Sequence, residues 1–464
     1  MKKIVYIILS TIILCACDRE EYLDIEPKGV VIPSKVIDYR LLLDQEESDF
    51  DAISPGFLRT YSNTNLMSDD ATSVGVELNF DGGVSKNMFT FADNIYEETQ
   101  EDPDWQATYG QIYACNIVLE GVLDATGGTE AEKRQLYAEA LVHRAFAYFV
   151  LVNLYGVHYN PATASSDPGV PFRLDTELTD VQFPRQSIQA VYDLILSDLD
   201  SAINDLPDTP VYSFRPSKAG VYAFLARIYL YMGRFDEAKT AADNSLALHN
   251  TILDYSAFPD IIFPGSGIVT LPSYLDDVQI TWAKSGIQPA TESFALSTDL
   301  INLISFTDQR RRLLAPFWLF GLSGAGSFYA AESFRIYRNV GFSVPEILLI
   351  RAECYAREGN AAMALADLNT LREARFTGPY TPLASTDANE VLDWVKTERR
   401  VELMGNGMRY FDLKRYNVFD TPTDLVHTLN GTTYTLPANS KNWALPIARR
   451  YILANPEIGE NIRD

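Results

Sequence analysis

Two adjacent acid pairs, Asp69-Asp70 and Asp276-Asp277, are the residue types in this chain that could hold a cation or flank a scissile glycosidic bond. Glycoside hydrolysis needs carboxylates on either side of the bond, and adjacency in sequence does not create that geometry. In a chain with 62 acids, a solvated or capping carboxylate is the ordinary fate of each one. The four histidines, at 143, 158, 249 and 427, show no metal-ligand spacing, and His143 falls inside a helical pattern. Neither His-Glu-x-x-His, Gly-x-Ser-x-Gly, a Gly-x4-Gly-Lys-Ser/Thr phosphate loop nor a complete calcium loop occurs. The sequence therefore nominates no catalytic residue, no metal ligand and no cofactor. Arg310-Arg311-Arg312 reads as a surface cluster or as ion pairing at a helix end.

Cys17 is a candidate for a different reaction, acylation. Lys2 and Lys3 precede an almost unbroken apolar run from Ile4 to Ile13, and the chain turns acidic at Asp18, Glu20 and Glu21. A charged start, a short apolar stretch and a small residue before the break are the layout of a secretory signal. The run falls short of the roughly 20 residues a helix needs to cross a bilayer. The ending Leu14-Cys15-Ala16-Cys17 is similar to the lipobox of bacterial lipoproteins, which implies a signal peptide over 1–16, cleavage before Cys17 and lipidation of its thiol. Two or more acyl chains hold a protein stably on a membrane, whereas one holds it marginally.

Loss of residues 1–16 removes Lys2 and Lys3 and moves the formal charge from −24 to −26. So acidic a surface repels nucleic acid, whose binding depends on neutralising phosphates. It also opposes adsorption to anionic lipid, which leaves membrane contact to the anchor. The remaining length supports one large domain with a sizeable core. Beyond Cys17 only Cys115 and Cys354 remain, both in helical apolar patterns, so each reads as a buried small hydrophobe and not as half of a bridge.

The elements that must position any site are mainly helical. Residues 36–43 read as a short helix, and 50–104 as loops with a few short strands. Trp105 to Leu123 and Ala131 to Tyr155 carry apolar residues at three- and four-residue steps, the second stopped by Gly156. Ser187 is a candidate N-cap for a stripe running from Ile188 to Ile203. Residues 217–249 read as a helical hairpin turning at Gly233. Its Ala226, Tyr229, Gly233 and Ala238 recur 126 residues later as Ala352, Tyr355, Gly359 and Ala364, with a blurred copy around Ala145, Tyr148 and Gly156. That spacing matches the tetratricopeptide pattern, in which these residues pack helices and perform no chemistry. From 251 to 343 the period fails, and irregular insertions of that length generally carry function. Helix returns from Val391 to Leu403 and from Met408 to Tyr416, and Trp443 to Ile447 reads as a packed extended stretch.

Several blocks, in order along the chain, resemble the SusD/RagB family of outer-membrane lipoproteins. They are Tyr22 to Gly29, Arg144 to Gly156, Glu346 to Glu353, Glu398 to Leu403 with Arg409 to Arg415, and Leu445-Pro446-Ile447 with Asn455-Pro456. The resemblance implies a mainly α fold of tetratricopeptide-like hairpins with a loop-rich ligand-binding side. It implies one domain over 36–464 behind a lipidated tether at 17–35, with an N-terminal lobe to about 250, the loop-rich insertion at 251–343 and a C-terminal region from 344. It further implies a surface-exposed outer-membrane protein that caps a SusC-like TonB-dependent transporter and delivers oligosaccharides to it, or peptides in some members. Arg19 interrupts the acidic run that resembles the family's surface-export signal.

No motif of that family marks the ligand contacts here, so these are argued physically. Sugar rings present apolar faces with hydroxyl rims, and they are held by exposed aromatics edged with polar side chains. Aromatics on helix stripes are committed to the core, which leaves those in loops. Trp282 and Trp318 lead, followed by Phe320 and Tyr329, with Asn79 and Phe80 from the earlier loop region completing a platform. The charges of Glu398 to Arg415 are expected to form a network tying the last helices to the repeats.

Overall fold

The computed structural model describes residues 33–44, 47–49, 52–54, 64–73, 83–177, 182–258, 271–273, 275–287, 295–316, 327–329, 337–378 and 380–464. Its α-helices are α1 Val36–Asp44, α2 Val84–Phe89, α3 Pro103–Gly121, α4 Glu130–Tyr155, α5 Ile188–Ala202, α6 Lys218–Tyr231, α7 Phe235–Leu248, α8 Thr298–Leu303, α9 Val344–Arg357, α10 Ala361–Glu373, α11 Ala388–Glu402, α12 Met408–Phe419 and α13 Arg449–Ala454. Most start at a side chain that satisfies an orphan backbone donor. Asp102 caps α3 with Pro103 at its first position, Ser187 caps α5, and Ser217 caps α6. Thr129 and Glu132 form a reciprocal capping box on α4.

The helices stack as successive hairpins. α3 packs on α4 and α4 on α5; α6 pairs with α7, and α9 pairs with α10 while also touching α7 and α11. From Ala138 onward nearly every residue of α4 is buried, so it forms the spine of the N-terminal half. Rings lock it to the repeat that follows: Phe149 meets Phe224 edge-on at 5.2 Å and lies 5.4 Å from Tyr231. The repeat seen in the sequence is thus a spatial repeat. Cys115 and Cys354 are buried free thiols.

Every sheet among the described residues is a two-stranded ribbon. These ribbons join distant parts of the chain: Ala71–Thr72 pairs with Ala295–Leu296, and Ile280–Trp282 pairs with Phe342–Ser343. The described strands at 280–282 and 295–296 are thus tied to distant parts of the chain. Within the described residues no helix is long and apolar enough to cross a membrane.

Gly233 and Gly359 occupy the same place in their hairpins, at φ +72° and +87°. A Cβ on Gly233 would stand 2.5 Å from the Phe419 ring, whereas one on Gly359 would meet nothing within 4 Å. Gly359→Ala should therefore cost about 1 kcal/mol for the left-handed backbone alone. Gly233→Ala should cost about 2–3 kcal/mol, because Phe419 must also move. Urea unfolding of the two variants checks the difference.

Candidate functional site

The helical side is bound together by buried charge. Arg227 of α6 donates to both oxygens of Glu346 on α9, at 2.9 and 2.5 Å. Arg399 of α11 bridges Glu346 (3.2 Å) and Asp412 of α12 (2.8 Å). Arg415 of α12 closes the circuit on Glu353 of α9, at 2.5 and 3.0 Å, and on Asp412 at 3.2 Å. Burial works against the charge on Glu353, but Arg415 and Arg357 outweigh it and hold the carboxyl well below its ordinary range. The expected network of the Glu398–Arg415 block is present, and it reaches further back in the chain, to Arg227.

A second set of pairs fastens the irregular segment to these helices. Arg310 meets Asp308 (2.7 Å), Glu398 (2.5 Å) and Glu402 (3.0 Å). Arg375 meets Glu402 (2.7 Å) and donates to Gln279 (3.0 Å). Of the two readings of Arg310, ion pairing holds and the surface cluster does not: the side chain is buried and three carboxylates converge on it. Three of the four paired acids are likewise engaged. Asp69 binds Arg409 at 2.7 and 2.8 Å, Asp70 binds Arg400 at 2.6 Å, and Asp277 accepts from the backbone and side chain of Gln279. Among the described residues no group of three His, Cys, Asp or Glu side chains is arranged to hold a metal.

Trp282 sits between these two parts, and there the sequence expectation needs correcting. Its exposure is 0%; it stacks on Phe342 at 5.7 Å and meets Phe146 edge-on at 5.5 Å, while Nε1 donates to Phe214 O at 3.1 Å. A ring covered on all sides offers no face to a ligand. Trp282 supports the loop side from beneath. Lys284, two residues on, is buried as well, with Nζ 2.7 Å from His143 Nδ1 and 4.7 Å from the Trp282 ring centre. Burial pushes the amine down from 10.5 to about 7 and keeps His143 neutral.

Of the other candidates, Cys17, Asn79, Phe80, Trp318 and Phe320 lie outside the described residues. Tyr329 is on the strand Ser327–Tyr329, its backbone opposite Leu314. The exposed aromatics that the structure adds are Tyr212 and Phe306. Tyr212 is 53% exposed and stacks on Phe214 at 5.5 Å with 18° between the planes. The Arg215 guanidinium lies 4.7 Å from the Tyr212 ring and is held by Asp44 at 2.9 and 2.5 Å. This loop rests directly on the Trp282 strand, through Ala283 N to Ser213 O at 2.7 Å. Phe306 is 88% exposed, with the Arg311 guanidinium 4.3 Å from its ring. A signal for Tyr212 existed in the sequence: it lies in a stretch bounded by Pro210 and Pro216, where no helical stripe can absorb it.

Stacked helical hairpins carrying a loop-built face define a helical-repeat binding scaffold. A family model described as "Starch-binding associating with outer membrane" matches residues 21–230, and one described as "SusD family" matches residues 329–461. The chain belongs to the SusD/RagB family. It is similar to SusD-like protein P38 of Formosa agariphila, at 24% identity over 79% of this chain and 80% of that protein. A SusD superfamily structure from Bacteroides thetaiotaomicron shares the fold with a TM-score of 0.72 at 18% identity, covering 92% of this chain and 100% of that one. A structure described as a laminarin-binding SusD-like protein aligns with a TM-score of 0.60 at 19% identity, over 92% of this chain and 96% of that one.

The buried amines give a pH test. Lys284 and Lys414 are both pushed down to about 7 by burial. As pH falls from about 10.5, the unfolded chain protonates these groups first, so stability is lost until the folded amines also protonate near 7. Lys284→Met should remove its share of that slope, up to about 1.4 kcal/mol per pH unit, and raise stability near pH 7.5. Denaturant midpoints between pH 7 and 10 measure it.

Proposed function

We propose that this protein is a cell-surface lipoprotein that captures glycans and passes them to a SusC-like TonB-dependent transporter. Residues 17–35 then serve as the acylated tether, with Cys17 as the anchor, and residues 36–464 form one domain. The observation that carries the reading is the family match at both ends of the chain, residues 21–230 and 329–461, with the starch-binding and outer-membrane description attached to the first. The laminarin-binding description of a structural neighbour supports a glycan as ligand. The loop side supplies the chemistry a glycan needs, in exposed rings placed beside guanidinium groups at Tyr212 and Phe306. Trp318, Phe320, Tyr329, Asn79 and Phe80 complete the proposed contact set. Capture without turnover suits acid pairs of which Asp69, Asp70 and Asp277 are already engaged by arginine, backbone or amide groups. Single contacts need only be weak, since tethering beside the transporter raises the effective concentration.

A peptide ligand is the second reading, favoured by the formal charge of −24, which attracts basic peptides at long range. Calorimetry on soluble protein starting at Asp18, against starch, laminarin, plant and host glycans and a peptide mixture, separates the two. The expected outcome is saturable binding to one glycan class without fragment release. Trp318→Ala, Tyr212→Ala or Phe306→Ala should weaken it at least tenfold, about 1.4 kcal/mol. Binding of basic peptides alone would overturn the glycan reading.

A further inference from the structure

Away from the loop side, a cleft of about 420 Å³ opens between the C-terminal end of α4, the face of α12 and the C-terminal segment. That volume lies within the range of small-molecule sites and far exceeds the roughly 30 Å³ share of one water. Its back is fixed by the chain itself. Lys414 of α12 donates to Asn153 O (2.6 Å) and Gly156 O (2.8 Å), and Asn461 donates to Tyr155 O (3.0 Å) and Leu445 O (2.5 Å).

Two side chains lining this cleft have polar atoms with no protein partner. His158 is 5% exposed, and its Nε2 is 2.8 Å from Tyr231 O, so Nε2 carries the proton and donates. Its Nδ1 is then a buried acceptor without a donor. Asn417 accepts the Thr423 N–H on Oδ1 at 2.8 Å, which fixes the amide orientation and leaves Nδ2 a buried donor without an acceptor. Each orphaned group costs about 1–3 kcal/mol, so a ligand hydroxyl that satisfied either one would be held there. A hydroxyl donates and accepts at one atom. Two charged groups of the wall are committed elsewhere, Lys414 to its two carbonyls and Asp167 to Thr163 Oγ1 at 2.6 Å, and Lys441 lines the exposed rim. Asn160, Ser166, Asn439 and Ser440 add amide and hydroxyl groups to a lining that also carries Val157, Val418, Trp443 and Ile462.

We propose that this cleft is a second carbohydrate site, which takes a neutral mono- or disaccharide unit through its hydroxyls. It is separate from the loop-side contacts and does not depend on them. Such a site would hold a chain end or a released sugar while the loop face holds the polymer.

The test uses the soluble protein from Asp18 with glucose, maltose, laminaribiose and xylobiose as probes, titrated to about 20 mM by calorimetry and saturation-transfer NMR. Asn417→Leu removes the orphaned donor. Asn439→Ala alters the exposed rim without touching the core and guards against a folding defect. The proposal expects saturable binding of at least one sugar, weakened at least about tenfold by Asn417→Leu and measurably by Asn439→Ala. It also expects that binding to be unchanged in Tyr212→Ala/Phe306→Ala. No saturable binding by the native protein would overturn it. So would binding that survives both cleft substitutions, or that disappears with the loop-side pair.

Discussion

Four helices of this protein depend on arginines that cannot be removed one at a time. Arg227, Arg399 and Arg415 reach across α6, α9, α11 and α12 to Glu346, Glu353 and Asp412, and all six side chains are buried. Burying charge is costly, and a well-made pair offsets that cost without much surplus. The network therefore adds little net stability over an apolar core of the same shape. What it adds is registry. Sliding α9 by one turn would strand Glu346 and Glu353 without partners, and a stranded buried charge costs about 3–5 kcal/mol.

That registry has a consequence on the other side of the molecule. Arg310 and Arg375 draw on Glu398 and Glu402, which belong to the same α11 that carries Arg399. Trp282 packs its strand against Phe342, and the Arg227 guanidinium lies 3.9 Å from the Phe342 ring. The irregular segment is therefore fixed at its base by the helices that stack the repeats. Trp282 is wholly enclosed beneath the loop that carries the exposed Tyr212.

The helical half was legible because stacked hairpins repeat a short pattern. Ala226, Tyr229 and Gly233 announce the first hairpin and Ala352, Tyr355 and Gly359 the second, with turns at both glycines. Caps such as Ser187 were equally local and equally readable. The loop side was harder for a physical reason. Its residues are placed by contacts from far along the chain, as where Trp282 faces Phe342 across a ribbon. Position in an irregular segment says that a tryptophan is off the helix stripes; it does not say whether the ring points inward. For Arg310 the sequence leaves a solvated cluster and ion pairing both open, since Glu398 and Glu402 are brought to it from far along the chain. Tyr212 rides on the short link between α5 and α6, outside the two long irregular stretches, 50–104 and 251–343, that supplied the loop candidates.

The proposed division of labour is a repeat scaffold held in register by buried charge, and a loop face that binds the glycan. Hydrogen exchange with and without the glycan that binds tests it most directly. Protection should rise in 207–217 and 295–316 and stay unchanged through α6, α9, α11 and α12, whose charged network leaves them no second arrangement. A rise spread through those four helices, with the loops unaffected, would contradict the account.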